Sequence, residues 1–396
     1  MTRLLEILIS LAIVTVLFLV VGLVLPSSRH ITETVETNRA MTIVFDTLNS
    51  FRRFTDWNPL VLRDPRMKVQ LSGPVEGVGA TLTYDSDNPR LGHGSYEITE
   101  SVPGERIVYA VENPQRGHDK RFVFTFRKTG RSLRNIEISQ NYDVKYGWDL
   151  LGRYAGLYVS RHVGDDMKMG LERLGNMLAS VPNADYRRQG VRLVDLRVVD
   201  VPAQDLLMVN AGSIPRDEDK LKAAMKADME WIKRSMDASG LVAAGPMRIV
   251  TSEFGRENYA FDVAVPVRRK GEAKGDADTE AKADAGTGAT TDAAAEGAQP
   301  AAEAKPQSLV AASGQKLDGL KLLGPVEYVR TAPGRAATGH YNGYIFELEN
   351  AHNMLRAWAL TQGHEVVDRP FDVYQDGIDA AFTAEGQYQI YWALKD

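Results

Sequence analysis

The chain has 396 residues, 44% of them hydrophobic and 25% charged, the profile of globular protein with room for two ordinary domains beyond its first segment. A net charge of −5 without a marked Lys/Arg cluster argues against nucleic acid as the main partner, because tracking phosphates needs a basic excess. With no cysteines, the chain has no disulfide framework, thiolate metal site or cysteine nucleophile.

From Ile7 to Leu25 there is no charge, and only Ser10, Thr15 and Gly22 interrupt the apolar run. A helix over Leu4–Leu25 would be about 33 Å long, enough to cross a hydrocarbon core of roughly 30 Å. Pro26 ends it, and Leu25-Pro26-Ser27-Ser28 is a poor signal-peptide cleavage site, so residues 1–28 are expected to be an uncleaved membrane anchor. Arg3 and the terminal amine favour a cytoplasmic N-terminus. That would place the rest of the chain in the periplasm, at a bacterial inner membrane.

Residues 29–182 form the next expected unit. Ile31 to Glu36 alternates as a short strand, and Ile43, Val44, Leu48, Phe51 and Phe54 mark a helical patch. Six strands are predicted, at Lys68–Leu71, Ala80–Tyr84, Gly94–Thr99, Arg106–Val111, Arg121–Arg127 and Asn135–Asp143. Gly-Pro, Asn-Pro, Pro-Gly and Thr-Gly turns separate them. Leu157, Val163, Met167, Leu171, Leu174, Leu178 and Val181 recur at helical spacing and close the unit with a long amphipathic helix. The pattern predicts a curved sheet gripping one helix.

These words in this order resemble the SRPBCC superfamily (START and polyketide-cyclase-like, helix-grip fold). They are Asp56-Trp57-Asn58-Pro59, Leu71-Ser72-Gly73-Pro74, Gly77-Val78-Gly79-Ala80, Gly92-His93-Gly94, Ile98-Thr99-Glu100-Ser101 and Gly170-Leu171-Glu172-Arg173-Leu174. The resemblance implies a deep, mostly apolar cavity between sheet and long helix. Trp57, Tyr96, Trp148 and Met167 are its candidate lining, against the plainer reading that they close the core.

Residues 190–396 contain an internal repeat. Val191–Val199, Val201-Pro202, Trp231, Gly240, Gly245-Pro246 and the strand Tyr259–Val265 recur in order. Their counterparts are Glu327, Ala332-Pro333, Trp358, Gly363, Arg369-Pro370 and the strand Tyr388–Leu394. The expected architecture is a pseudo-symmetric, duplicated βαββ domain with both helices on one face of its sheet. Between the halves, residues 268–315 are Ala/Gly-rich and polar with no aromatic, so a disordered insertion is expected. The whole chain is thus α+β: one transmembrane helix, a helix-grip domain and the duplicated domain.

The second half resembles the GyrI-like, or AraC effector-binding-type, domain. The matching words are His340-Tyr341-Asn342-Gly343-Tyr344, Leu355-Arg356-Ala357-Trp358 and Arg369-Pro370-Phe371-Asp372-Val373-Tyr374. That resemblance implies binding of a small, often cationic or amphiphilic molecule through aromatics and an acid. Asp372 stands where glutamate is frequent. Eleven aromatics between Tyr328 and Asp396 enrich this stretch to about double the whole-chain 8%. Tyr341, Tyr344, Phe371, Asp372, Tyr374 and Trp392, with Glu253 in the first half, are the candidate ligand residues. Core packing and a pocket rim both remain open for Tyr341 and Tyr374.

No catalytic centre is expected. The seven histidines form no His-x-His or His-x-x-x-His pair, and no nucleophile elbow or phosphate loop is present. The expectation is a membrane-anchored protein binding apolar or amphiphilic small molecules in two pockets, without cofactor, metal or nucleic acid. Two alternatives are a hydrolase- or cyclase-type pocket enzyme using Tyr, Asp and Glu, and a ligand sensor acting through a partner protein.

Overall fold

A computed structural model describes residues 2–89, 91–188, 190, 192–271 and 316–395. The α+β class expected from the sequence holds, with one apolar N-terminal helix and two antiparallel sheets. The chain divides into two units, Met1–Asn183 with Thr361–Gly363 and Ala184–Leu360 with His364–Asp396. Of the insertion expected over 268–315, Arg268 and Arg269 close a strand, and residues 272–315 lie outside the described residues.

In the first unit α1 spans Thr2–Val24, with a mean hydropathy of 3.1 over Leu4–Val24. Pro26 cannot donate to the helical ladder and disfavours helical geometry before it, so the helix stops there. The last carbonyls of any helix lack intrahelical partners. Here Arg153 supplies them: its Nη1 donates to the carbonyls of Gly22 (3.3 Å), Leu23 (2.9 Å) and Leu25 (3.2 Å). Nε and Nη2 donate to the Gly147 carbonyl at 2.9 and 2.7 Å.

Seven strands follow: β1 (Ser28–Thr37), β2 (Lys68–Ser72), β3 (Thr81–Asp85), β4 (His93–Val102), β5 (Arg106–Glu112), β6 (His118–Thr129) and β7 (Asn135–Lys145). They pair antiparallel in the order β1-β7-β6-β5-β4-β3-β2, so the first strand lies on the last, from Ser28↔Lys145 to Thr37↔Ile136. Period-two alternation turns Ile136, Ile138, Gln140, Tyr142 and Val144 of β7 inward. Three short helices, α2 (Met41–Leu48), α3 (Phe54–Trp57) and α4 (Leu60–Arg63), lie between β1 and β2.

A six-residue helix α5 (Leu150–Ala155), which the sequence pattern did not predict, precedes the long α6 (Val159–Ala179). α6 buries Met167, Leu171, Leu174 and Leu178, the expected stripe. Gly170 is needed where α6 crosses α3, because a methyl there would lie 3.1 Å from Pro59 Cδ. His162 and Asp166, four apart on this helix, are not the principal pair; Asp166 takes Nη2 of Arg63 at 2.6 Å on both oxygens.

The second unit comprises β8 (Leu193–Val201), β9 (Asp205–Pro215), α7 (Glu218–Ser239), β10 (Leu241–Ala243), β11 (Arg248–Phe254) and β12 (Asn258–Arg269). After the insertion come β13 (Glu327–Arg330), β14 (Gly334–Asn342), α8 (Leu348–Thr361), β15 (Phe371–Tyr374), α9 (Gly377–Ala381) and β16 (Gln387–Ala393). The sheet order is β13-β9-β12-β11-β15-β16-β14-β8, with β10 beside β12. The duplication is therefore β9-α7-β11-β12 and β14-α8-β15-β16, meeting at the β11–β15 pair. Each half also has a leading strand, and these are exchanged: β8 pairs with β14 and β13 with β9. β9 had no counterpart in the sequence prediction.

α7 begins at Asp217, whose side chain accepts from the Lys220 N–H at 3.0 Å, and ends at Gly240 in the left-handed region (φ 64°). Within α7, burial raises the Asp228 carboxyl to about 6, and its Oδ2 has no hydrogen-bond partner among the described residues. A group held above its unfolded value of 3.8 favours folding at low pH, and that contribution is lost as pH rises through about 6. Asp228→Asn should therefore raise the Tm above pH 6 by about 2–4 °C, after allowance for partial solvent screening. Below about pH 4, thermal melts of wild type and variant should coincide.

Candidate functional site

Between the sheet of the first unit and α6 lies a cavity of about 90 Å³. Its wall is aromatic. Trp57 of α3, Tyr84 and Tyr96 of β3 and β4, Phe122 of β6 and Tyr142 of β7 face Met167 of α6. Strand alternation places the ring-bearing residues inward, and edge or tilted contacts hold them, as between Trp57 and Phe124 (6.2 Å) and Phe122 and Tyr142 (5.0 Å). The Arg63–Asp166 pair belongs to the same lining.

Two polar atoms of this lining are buried with no partner among the described residues, Trp57 Nε1 and Gln140 Oε1. The residues are 1% and 3% exposed. One is a donor only and the other an acceptor, so the cavity offers a complementary pair to a guest with a hydroxyl or amide. An unmade buried hydrogen bond costs about 1–3 kcal/mol, which gives such a guest a definite reward. Burial raises the phenols of Tyr84, Tyr96 and Tyr142, so all three are neutral at physiological pH and keep their O–H donors. The volume sets the scale. An engineered cavity of about 150 Å³ takes a benzene ring, so this one admits a small group and not a whole acyl chain.

Of the residues expected here, Trp57, Tyr96 and Met167 line the cavity and Trp148 does not. Trp148 is 83% exposed on the turn after β7, because Tyr146 takes the inward position at the end of that strand. Gln140 was not anticipated, although a polar residue in the inward phase of Ile136, Ile138, Tyr142 and Val144 was a readable signal.

The second unit holds a buried acid. Alternation along β15 turns Asp372 and Tyr374 to one face and Phe371 and Val373 to the other. Asp372 is 0% exposed and bonds through Oδ1 to His352 Nε2 at 2.7 Å; its Oδ2 and the Tyr374 hydroxyl have no partner among the described residues. His352 packs on Phe254 (5.2 Å) and Trp392 (6.1 Å), and Tyr374 meets Tyr388 edge-on at 5.0 Å. Tyr259, bonded to Thr251 at 3.0 Å, and Tyr374 are pushed well above the usual phenol range, first by burial and also by the Asp372 charge. With Asp372, Tyr374 and Tyr388 at 0, 2 and 1% exposure, the cluster is closed.

Thus Asp372, Tyr374 and Trp392 come together around His352. Phe371 lies on the opposite face, stacked on Tyr391 (4.9 Å) under the Arg248 guanidinium (4.8 Å). Arg248 is itself 6% exposed; burial lowers it to about 10, and Nη2 donates to Gln204 Oε1 at 2.7 Å. Tyr341 is buried and donates to Glu347 (2.8 Å), Tyr344 donates to Glu218 (3.0 Å), and Glu253 is exposed beside a β-bulge. Sequence reasoning missed His352, Tyr259 and Tyr388. His352 falls in the stripe Leu348, Ala351, Leu355 of α8, the phase of a buried side chain.

Among solved structures, the chain is similar to the C-terminal domain of EcmrR, with 15% identity over 51% of this chain and 98% of that one and a TM-score of 0.32. It is also similar to truncated norcoclaurine synthase from Thalictrum flavum (10% identity, 37% and 93% covered, TM-score 0.30) and to Ms6760 from Mycobacterium smegmatis (14%, 38% and 91%, 0.28). Likenesses at these identities and scores carry no functional argument. No protein-family profile and no curated protein matches the chain.

His352→Phe removes the donor to Asp372 in a dry surround and should cost about 3–5 kcal/mol by urea denaturation of the detergent-solubilised chain. Adding Asp372→Asn should recover part of the loss. Equal losses in the single and double variants would contradict the coupling.

Proposed function

We propose that the chain is a membrane-anchored binding protein for small, largely apolar molecules, with the cavity under α6 as its receptor site. The observation that carries this reading is the aromatic-lined cavity with a buried donor, Trp57 Nε1, and a buried acceptor, Gln140 Oε1, both unpartnered among the described residues. The guest it fits is a compact, hydroxyl- or amide-bearing molecule whose apolar part is smaller than a benzene ring. The SRPBCC resemblance of residues 29–182 points the same way.

The anchor is α1, with the remainder on the periplasmic side of a bacterial inner membrane. Length and apolar composition support a span, and its C-terminal carbonyls are bonded to Arg153 of the folded unit. This contact supports reading α1 as a retained helix rather than a discarded leader. A hydrolase or cyclase has less support: the cavity phenols are held neutral, and Asp166 is engaged by Arg63. In the second unit, the free Asp372 Oδ2 and Tyr374 hydroxyl favour a role in taking a cationic amphiphile if that core opens, as the GyrI-like resemblance implies.

Calorimetric titration of the detergent-solubilised chain with short-chain alcohols and small aliphatic amides tests the primary reading. Saturable binding at one site is expected, weakened roughly 5- to 100-fold in Gln140→Leu with the Tm retained. A panel without any saturable ligand, or unchanged affinity in that variant, overturns it.

A further inference from the structure

The turn and short helix after β7 carry an unusual set of exposed side chains. Trp148 is 83% exposed, Leu151 53%, Leu157 50% and Tyr158 63%, all within one short stretch of chain. Such a group on the surface of a soluble domain marks a contact with something apolar. Its neighbours show what that is.

Leu150 and Tyr154 of α5 pack directly on α1. The Tyr154 ring stacks on Phe18 at 4.5 Å, and its hydroxyl donates to the Phe18 carbonyl at 2.7 Å. A methyl added at Gly22 would lie 3.3 Å from both Leu150 Cβ and the Tyr154 ring. Arg153, between them in sequence, bonds the carbonyls of Gly22, Leu23 and Leu25. The height of α5 along α1 is therefore fixed, level with Phe18–Gly22.

That height decides the matter. The apolar stretch Leu4–Val24 has 21 residues, about 32 Å of helix, and the hydrocarbon core it must cross is roughly 30 Å. The helix has no length to spare, so whatever packs beside Phe18–Gly22 lies inside the outer layer of the bilayer. Phe18 is about 10 Å along the axis from Leu25, and interfacial helices bury their apolar face about 5–10 Å below the headgroups. Trp and Tyr are the residues that favour this boundary. Arg29, beside Gly156, and the exposed Arg161 place positive charge at the same end, where lipid phosphates lie.

We propose that residues 148–158 form a second, non-spanning membrane contact that seats in the headgroup–acyl boundary of a phospholipid bilayer alongside α1. The cavity is then held at that surface. α6 starts directly after Tyr158 and lines the cavity with Val163 and Met167; the β5–β6 turn lines it with Gln115, and Arg116 of the same turn bonds Asp149 at 3.1 Å. An apolar guest dissolved in the bilayer thus has a short path to the site. The inference rests on reading α1 as an anchor, and the experiment separates the two.

The chain contains no cysteine, so single cysteines can be nitroxide-labelled without background. The full chain in phosphatidylcholine/phosphatidylglycerol vesicles would be labelled, one position at a time, at Trp148→Cys, Leu151→Cys and Tyr158→Cys. Two references are Leu8→Cys within α1 and Leu133→Cys, 62% exposed at the far end of β7. All the replaced side chains are exposed, so folding should survive, as thermal melts would verify. Relaxation by oxygen and by a water-soluble nickel chelate reports depth. The proposal expects oxygen to dominate at 148, 151 and 158 as it does at 8, and nickel to dominate at 133. If 148, 151 and 158 behave like 133 while 8 reads as buried in lipid, the proposal fails and the anchor stands. If 8 also reads as aqueous, the anchor reading fails and takes the proposal with it. Labels shielded from both reagents, with dipolar broadening between copies, would assign the surface to a second copy and overturn the proposal.

Discussion

One guanidinium joins the apolar helix to the sheet. A helix that ends at the edge of a bilayer leaves its last carbonyls where water is scarce, and each unmade bond there is costly. Arg153 satisfies three of them while two more of its donors hold Gly147 at the end of β7, and it is only 8% exposed in doing so. A cation at a helix C-terminus also meets the negative end of the dipole. The same contact, with Tyr154 on Phe18 and Leu150 beside Gly22, fixes where α5 sits along α1.

The two units handle buried polarity differently. In the first, Gln140 occupies an inward position of β7, Trp57 lies on α3, both belong to the cavity lining, and among the described residues Gln140 Oε1 and Trp57 Nε1 have no hydrogen-bond partner. In the second, Asp372 occupies an inward position of β15 and is met by His352, with aromatic rings filling the surround. Polar groups left half-satisfied in an apolar core cost stability. The first arrangement leaves room for a guest to recover that cost, whereas the second recovers part of it internally and is closed. The cavity therefore has the stronger claim to be the binding site.

Much of this was legible in the sequence, and the exceptions have physical reasons. Period-two runs located the strands of the first unit, and the spacing of Met167, Leu171, Leu174 and Leu178 located α6, because one-sided burial writes itself directly into the pattern. α5 is only six residues long and includes Gly152, so no periodicity could build up. Trp148 was read as cavity lining because an aromatic near a strand end does not say which way it points. Phe371 and Asp372 were placed in one cleft, although adjacent residues of a strand must face opposite sides. The exchange of β8 and β13 between the halves is a long-range pairing that no local pattern encodes.

The central claim is that the cavity binds a guest through Trp57 and Gln140. The chain has five tryptophans, whose indole N–H protons resonate in an uncrowded region of the NMR spectrum. Titration of the indole-¹⁵N-labelled, detergent-solubilised chain with a short-chain alcohol or small aliphatic amide tests the claim most directly. The account predicts that the Trp57 resonance alone moves downfield and saturates, as its N–H gains an acceptor, while those of Trp148, Trp231, Trp358 and Trp392 stay in place. A stationary Trp57 resonance at ligand concentrations that saturate binding, or movement confined to Trp392, would contradict it.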